Sequence, residues 1–145
     1  MHIIKKIDTD QAEYIWQNSP NSCIYNSPKF LKNFPNISFY CVYKGSDPIM
    51  CWPVFMNKKA EMAIPVFFYY FGPFWSNKIL LKGEHSKFST TLEIYNNFLQ
   101  FFTKKFKKIN FELHYSLLDT RAFDWWNYHN KKKKRGLKLC LGIQP

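Results

Sequence analysis

The sequence predicts one α/β domain, in which a mixed and mostly antiparallel sheet is covered by helices that include a long amphipathic one. Three observations lead to this class. Strand-like and helix-like segments follow one another along the chain, a turn sequence between two apolar runs indicates a hairpin, and apolar residues between positions 88 and 106 recur at spacings of three and four. We expect residues 1–145 to form a single domain, because the length suits one core and no Gly/Ser-rich linker divides the chain.

The first elements are short. We expect a strand at residues 2–7, followed by a helix that Asp8 or Thr9 caps and that runs to about Asn18. A Ser-Pro pair at residues 27–28 is typical of a helix start, because proline fits the first helical turn. It predicts a second, short helix at residues 29–34, which Pro35 ends.

The middle of the chain predicts three strands. Apolar runs at residues 39–43 and 49–55 flank the turn sequence Lys-Gly-Ser-Asp-Pro, which indicates an antiparallel hairpin. A second turn near residues 57–60 leads into a third strand at residues 62–70. The aromatic run at residues 64–75 ends at a Gly-Pro break, and we interpret it either as a buried strand that opens into a cleft or as core.

The clearest helix follows this run. Thr90 and Glu93 can form a capping box at its start, and Ser86 is an alternative cap one turn earlier. Lysines between residues 104 and 108 suit its C-terminal end, where the helix dipole favours cations. Its one-sided apolar stripe consists of Phe88, Leu92, Tyr95, Leu99, Phe102 and Phe106.

The last part of the chain predicts a strand, a helix and a final strand. Alternation over residues 109–113 indicates the first strand, with His114 on its polar face. Asp119-Thr120 can cap the helix-like segment that follows. The apolar residues of that segment and of the final strand are Phe123, Trp125, Trp126 and Tyr128, and then Leu137, Leu139 and Leu141.

The net charge of +11 is concentrated toward the C-terminus, where residues 104–108 and 131–135 are strongly basic. One interpretation is an ordinary solvated lysine surface. The functional interpretations are attraction to an anionic membrane, to nucleic acid or to a phosphorylated substrate. Trp125, Trp126 and Tyr128 precede the second run, which suits a lipid interface.

The sequence argues against several classes of site. It contains no G-x-x-x-x-G-K-[ST], G-x-G-x-x-G or G-x-S-x-G motif, and its four histidines have no metal-ligand spacing, so we expect no metal site. The N-terminus has no long apolar segment after its lysines, which argues against a signal peptide. We expect a cytoplasmic protein, peripheral at most at the inner membrane face, with Cys23, Cys41, Cys51 and Cys140 as reduced, buried thiols.

Several short motifs together resemble the N-terminal half of FemAB-like proteins, within the GNAT acyltransferase superfamily. They run in the family's order along the chain. They are Trp16-Gln17-Asn18-Ser19-Pro20, Ile24-Tyr25-Asn26-Ser27-Pro28-Lys29-Phe30-Leu31, Pro53-Val54-Phe55, Ile64-Pro65, Tyr70-Phe71-Gly72-Pro73, and Asp119-Thr120-Arg121-Ala122-Phe123-Asp124-Trp125.

The resemblance implies a two-part enzyme of cell-envelope biosynthesis. FemAB-like enzymes have two GNAT-like halves, and this chain resembles the first, as an expressed fragment, a truncated gene product or one subunit of a split enzyme. It would then hold a sugar- or peptide-linked amine acceptor and be inactive without a second half. No cofactor is expected in this chain, whereas the complete enzyme would use acyl-CoA or aminoacyl-tRNA. An exposed apolar surface, leading to self-association or a second half, is also expected.

The resemblance also implies a set of cleft residues for the acceptor. Gly72-Pro73 would allow the backbone to turn and to approach a ligand closely. Arg121 is the candidate anion contact, with Lys32 as a weaker second, although Asp119-Thr120 also suits a plain helix cap. The full set is Tyr70, Gly72, Pro73, Trp75, Asp119, Arg121 and Lys32. The alternative function is a non-enzymatic basic module that binds anionic membrane or nucleic acid through residues 131–135.

Overall fold

The computed structural model describes residues 2–80, 82–113 and 121–125, and its centre is a five-stranded sheet. The strands are β1 (His2–Ile7), β2 (Ile37–Lys44), β3 (Asp47–Met56), β4 (Met62–Ala63) and β5 (Phe74–Trp75). β1, β2 and β3 pair in that order and antiparallel, and β4 and β5 both pair with the far edge of β3. The α/β class and the mostly antiparallel sheet that the sequence predicts are therefore confirmed.

The β2–β3 hairpin follows from its turn chemistry. Lys44 pairs with Asp47, so Gly45 and Ser46 form a two-residue connection. Gly45 has a φ of 63°, which a residue without a side chain adopts at little cost. Pro53 lies between the β4 and β5 pairings on the far edge of β3, where a missing backbone donor is tolerated.

The helices before the hairpin begin where their capping residues predict. In α1 (Thr9–Gln17), the Asp8 side chain accepts a hydrogen bond from the Gln11 backbone at 2.8 Å. A short 3-10 turn (Ile24–Asn26) precedes α2 (Pro28–Leu31), which has its proline at the first helical position. α2 is shorter than the predicted 29–34, and Ser27 makes no side-chain cap.

The long helix is present, but it begins earlier than either predicted cap. α3 (Asn77–Leu80), which the sequence did not predict, leads into α4 (Glu84–Lys105), and Gly83 is the N-cap of α4. Ser86 and Thr90 therefore lie inside the helix and do not cap it. The α4 core face includes Tyr95, Leu99 and Phe102 of the predicted stripe, whereas Phe88 is exposed.

The sheet has a hydrophobic core on each face. Alternate residues of β2 and β3 point to opposite sides, so Tyr40 and Trp52 pack against α4, whereas Phe39 and Cys51 pack against α1 and α2. Trp52 stacks on Phe98 of α4, with 3.8 Å between the ring centroids. The short helix α5 (Arg121–Asp124) contributes Ala122 and Phe123 to the α4 side.

Two predicted strands differ from the structure. Residues 64–70 do not continue the strand that starts at Met62, because Pro65 has no N–H to donate to a sheet and the chain then enters a turn in which Phe67 has a φ of 70°. Residues 109–113 form only one parallel bridge, between Ile109 and Met62. His114, Asp119, Trp126, Tyr128, residues 131–135, the predicted final strand and Cys140 lie outside the described residues.

Candidate functional site

A buried polar network joins the loop after α1 to the segment that contains β5. The Asn21 side-chain amide donates to the Pro73 carbonyl at 2.8 Å, and its oxygen accepts from the Trp75 backbone N–H at 3.0 Å. The fully buried Asn26 donates to the Asn21 carbonyl at 3.1 Å and accepts from the Trp16 indole at 2.8 Å. Since buried polar groups are costly unless paired, these bonds hold two segments about fifty residues apart in one arrangement.

Tyr70 belongs to the same network. Its hydroxyl donates to the Pro73 carbonyl at 2.6 Å, and its ring is almost fully buried. Burial raises the pKa of Tyr70 well above the usual value, with nearby Cys23 acting in the same direction. The phenol therefore stays protonated and positions Pro73.

The backbone at Gly72 lies very close to another segment of the chain, at Glu112. A Cβ at this position would lie 2.1 Å from the Glu112 backbone carbonyl, and the Glu112 N–H donates to the Phe71 carbonyl at 3.3 Å. Contact with the segment after Ile109 therefore requires a glycine at this position, and the predicted approach of a ligand to Gly72 stays a prediction.

The outer side of this region is an aromatic loop, which we define as residues 66–69. Phe67, Tyr69 and Val66 are 91%, 84% and 76% exposed. Phe68 anchors the loop, because its ring packs against those of Phe30, Phe34 and Phe71 at centroid distances of 5.3–6.0 Å.

A neighbouring residue extends the surface of the loop. The Tyr25 ring contacts both Phe68 and Tyr69, at 5.5 and 6.1 Å, and Ile24 beside it is 57% exposed. Contiguous exposed apolar surface of this kind is typical of binding sites. The aromatic loop and residues 24–25 form what we call the aromatic platform.

The structure places the other predicted site residues on three different elements. Trp75 turns to the α4 side of the sheet, where its ring lies 5.3 Å from that of Tyr95. Arg121 is exposed on α5, with its guanidinium 5.8 Å from the Phe88 ring. Lys32 is exposed at the end of α2. Whether these residues, together with Tyr70, Gly72, Pro73 and Asp119, contact an acceptor stays a prediction.

A concave region lies between α1 and the β2–β3 hairpin. It is a shallow cleft of about 410 Å³, and its surface is mostly apolar. Tyr43 lines it, and burial, with Cys41 nearby, raises the pKa of Tyr43 to about 12. None of the residues that line the cleft belongs to the predicted set of site residues. They are Asp10, Gln11, Tyr14, Ile15, Tyr43 and Pro48.

The described cysteines are unreactive in character. Cys23, Cys41 and Cys51 are free thiols, and burial raises the pKa of each, that of Cys41 to about 12. A protonated thiol is a poor nucleophile and a poor metal ligand. Within residues 2–80, 82–113 and 121–125, no group of three or more His, Cys, Asp or Glu side chains is placed to hold a metal ion.

Sequence reasoning overlooked Asn21, Asn26, Phe67 and Tyr69 as individual residues. For Asn21 and Asn26 the signal was a run of small polar residues before the Ser-Pro pair, which in a sequence looks the same whether it is buried or solvated. For Phe67 and Tyr69 it was the aromatic run at residues 64–75, in which the pattern does not show which rings are exposed.

None of the described helices is long and apolar enough to cross a membrane. Comparison with known proteins found no matching protein family, curated protein or solved structure.

Proposed function

We propose that this chain is the acceptor-side domain of a FemAB-like N-acyltransferase that acts on amino-sugar or peptidoglycan-type precursors, and that the aromatic platform holds the acceptor. The observation that carries the proposal is the exposure of Phe67 and Tyr69 on a loop with a fixed base. Rigid aromatic rings supply contact area at a low cost in conformational entropy, and they suit the apolar faces of a sugar ring.

The arrangement of the motifs supports the same proposal. Asn26, in the motif at residues 24–31, donates to the Asn21 carbonyl, and the Asn21 side chain donates to the Pro73 carbonyl in the motif at residues 70–73. These hydrogen bonds join the two motifs into one structural unit. The acyl donor is assigned to a second half, because this chain has no Gly-rich phosphate-binding motif. In such transfer the acceptor amine attacks the activated acyl group directly, so no covalent nucleophile is required of this domain.

The backbone of Phe67 adds a second argument. A φ of 70° is unfavourable for a bulky residue, and strained residues persist where they serve a function. Asn36 and Ala60 also have positive φ, and asparagine tolerates this conformation. Phe67 lies in a turn that the Phe68 N–H closes on the Pro65 carbonyl at 3.3 Å, and at this position, which favours glycine or asparagine, it presents a large apolar ring to solvent.

A binding titration tests the proposal. We would titrate a muropeptide with a free amine into ¹⁵N-labelled protein and follow the backbone amide shifts, which we expect to change at residues 24–25 and 66–69. Phe67→Asn and Tyr69→Ala should each weaken binding by about tenfold, as expected for losing the burial of one aromatic ring. Asparagine accepts the left-handed backbone, so Phe67→Asn should leave the fold intact.

Tyr14→Ala is the matched control. Tyr14 is 71% exposed, but it lies at the α1 cleft away from the platform. Its replacement should leave the affinity unchanged. Absence of shifts at millimolar muropeptide, or equal weakening by Tyr14→Ala, would show that the platform does not hold the acceptor.

A further inference from the structure

Six exposed lysines lie at one end of the sheet, which we call the basic end. They come from three separate segments, namely the last part of β1, the β3–β4 turn, and the C-terminal end of α4 with the residues after it. The members are Lys6, Lys58, Lys59, Lys104, Lys107 and Lys108.

Pairing within the sheet brings these segments together. The Met62 N–H donates to the Lys108 carbonyl at 3.0 Å, and Met62 also pairs with Met56, so the turn that carries Lys58 and Lys59 lies beside the end of α4. Lys6 pairs across the sheet with Tyr40, whose hydroxyl accepts a hydrogen bond from Lys105. The strand β1 thus reaches the same end.

Little negative charge compensates this end. None of the six lysines forms an ion pair with a carboxylate of the described residues. Glu61 follows the turn, and its carboxylate accepts a hydrogen bond from the Asn57 side chain at 3.0 Å. Asp8 follows β1 and caps α1. The helix dipole accounts for lysines at the end of α4, but it does not account for Lys6, Lys58 or Lys59.

We propose that the basic end docks this protein on an anionic lipid surface. All six cations are lysines, whose compact charges suit diffuse attraction to headgroups, whereas arginine forks are preferred for nucleic-acid contacts. Apolar side chains accompany them, because Met56 before the turn and Phe101 on α4 are 42% and 36% exposed. Such residues enter the interface while the lysines stay at the headgroups. The inference is independent of the acceptor platform.

Vesicle binding by two variants of equal net charge tests this inference. K58Q/K59Q/K107Q/K108Q removes four of the six lysines of the basic end, whereas K44Q/K78Q/K82Q/K87Q removes four lysines near the hairpin turn and the start of α4. Both variants keep residues 131–135. At about fivefold per lysine, the loss of four lysines should make the first variant bind vesicles with about 30% phosphatidylglycerol about 600-fold more weakly than the unmodified chain. The second should lose less than about fivefold.

Three results would overturn the inference. Equal weakening by both variants would show that binding responds to net charge wherever the lysines lie. If the unmodified chain bound pure phosphatidylcholine vesicles as tightly as the anionic ones, anionic lipid would not be recognised. Tighter binding of a single-stranded oligonucleotide than of the anionic vesicles, lost in the first variant alone, would assign the basic end to nucleic acid. Far-UV circular dichroism checks that both variants are folded; six of the eight lysines are exposed, and Lys82 and Lys87 are partly exposed.

Discussion

Replacing Gly72 with alanine tests the packing on which the candidate site depends. The new Cβ would lie 2.1 Å from the Glu112 carbonyl oxygen, whereas ordinary contact begins at 3.4 Å, so the two segments must separate by about 1.3 Å. The φ of Gly72 lies outside the left-handed region, and the backbone itself therefore accepts alanine. Any loss of stability is then caused by the clash between the new Cβ and the Glu112 carbonyl oxygen.

The size of the loss follows from two contributions. Overpacking of a closed site costs about 1–3 kcal/mol, and separation of the segments also breaks the bond from the Glu112 N–H to the Phe71 carbonyl, which is worth about 1 kcal/mol. We expect the free energy of unfolding to fall by about 2–4 kcal/mol. At about 2–4 °C per kcal/mol, the Tm should fall by roughly 5–15 °C.

Urea unfolding followed by circular dichroism measures this loss. Gly83→Ala is the matched control, because nothing lies within 4 Å of a Cβ there and only a weaker helix cap is expected, at less than about 1 kcal/mol. A G72A variant within about 0.5 kcal/mol of the unmodified chain would refute the contact between Gly72 and Glu112.

Two further predictions concern the buried network and the buried thiols. Asn21→Ala leaves the Trp75 N–H and the Pro73 carbonyl without this partner, so it should lower the free energy of unfolding by about 2–4 kcal/mol and speed amide exchange at Trp75. Asn33→Ala, in the exposed turn after α2, should change stability by less than about 0.5 kcal/mol. Unchanged exchange at Trp75 would contradict the prediction for Asn21. Burial raises the pKa of Cys41 from 9.0 to about 12, so above pH 9 the unfolded thiol loses its proton while the folded one keeps it. The unfolded state then binds fewer protons, and stability should decline by up to about 1.4 kcal/mol per pH unit from this group. Urea unfolding between about pH 8 and pH 10 should show a smaller decline for Cys41→Ala, and an equal decline would assign it to other groups.

Elements with local determinants were predictable from the sequence. Asp8 caps α1 through a bond to the backbone three residues on, and the Gly45-Ser46 turn sets the register of the hairpin. Both interactions lie within a few residues of the element they define. The core face of α4 was likewise predictable from the spacing of its apolar residues, because the helix repeat places them on one side.

Helix and strand limits that depend on distant residues were not predictable. α4 extends back to Gly83, whereas sequence capping rules favoured Ser86 or Thr90, because they rank serine and threonine above a glycine cap. Residues 109–113 keep their alternating pattern, yet β4 offers them a partner of only two residues. A strand needs both a pattern and a neighbour of matching length.

The aromatic loop shows why the candidate site could not be derived from the sequence pattern. A strand through residues 64–70 would place Val66, Phe68 and Tyr70 on one face. In the structure Tyr70 is buried and Phe68 is half-buried, whereas Val66 is exposed. The arrangement is instead set by distant contacts, chiefly the bond from Asn21 to Pro73 and the packing of Phe68 on α2. These contacts leave three large apolar side chains in water on one short loop. Side chains that stay exposed add little to the stability of the fold, which is why we propose that the loop serves binding.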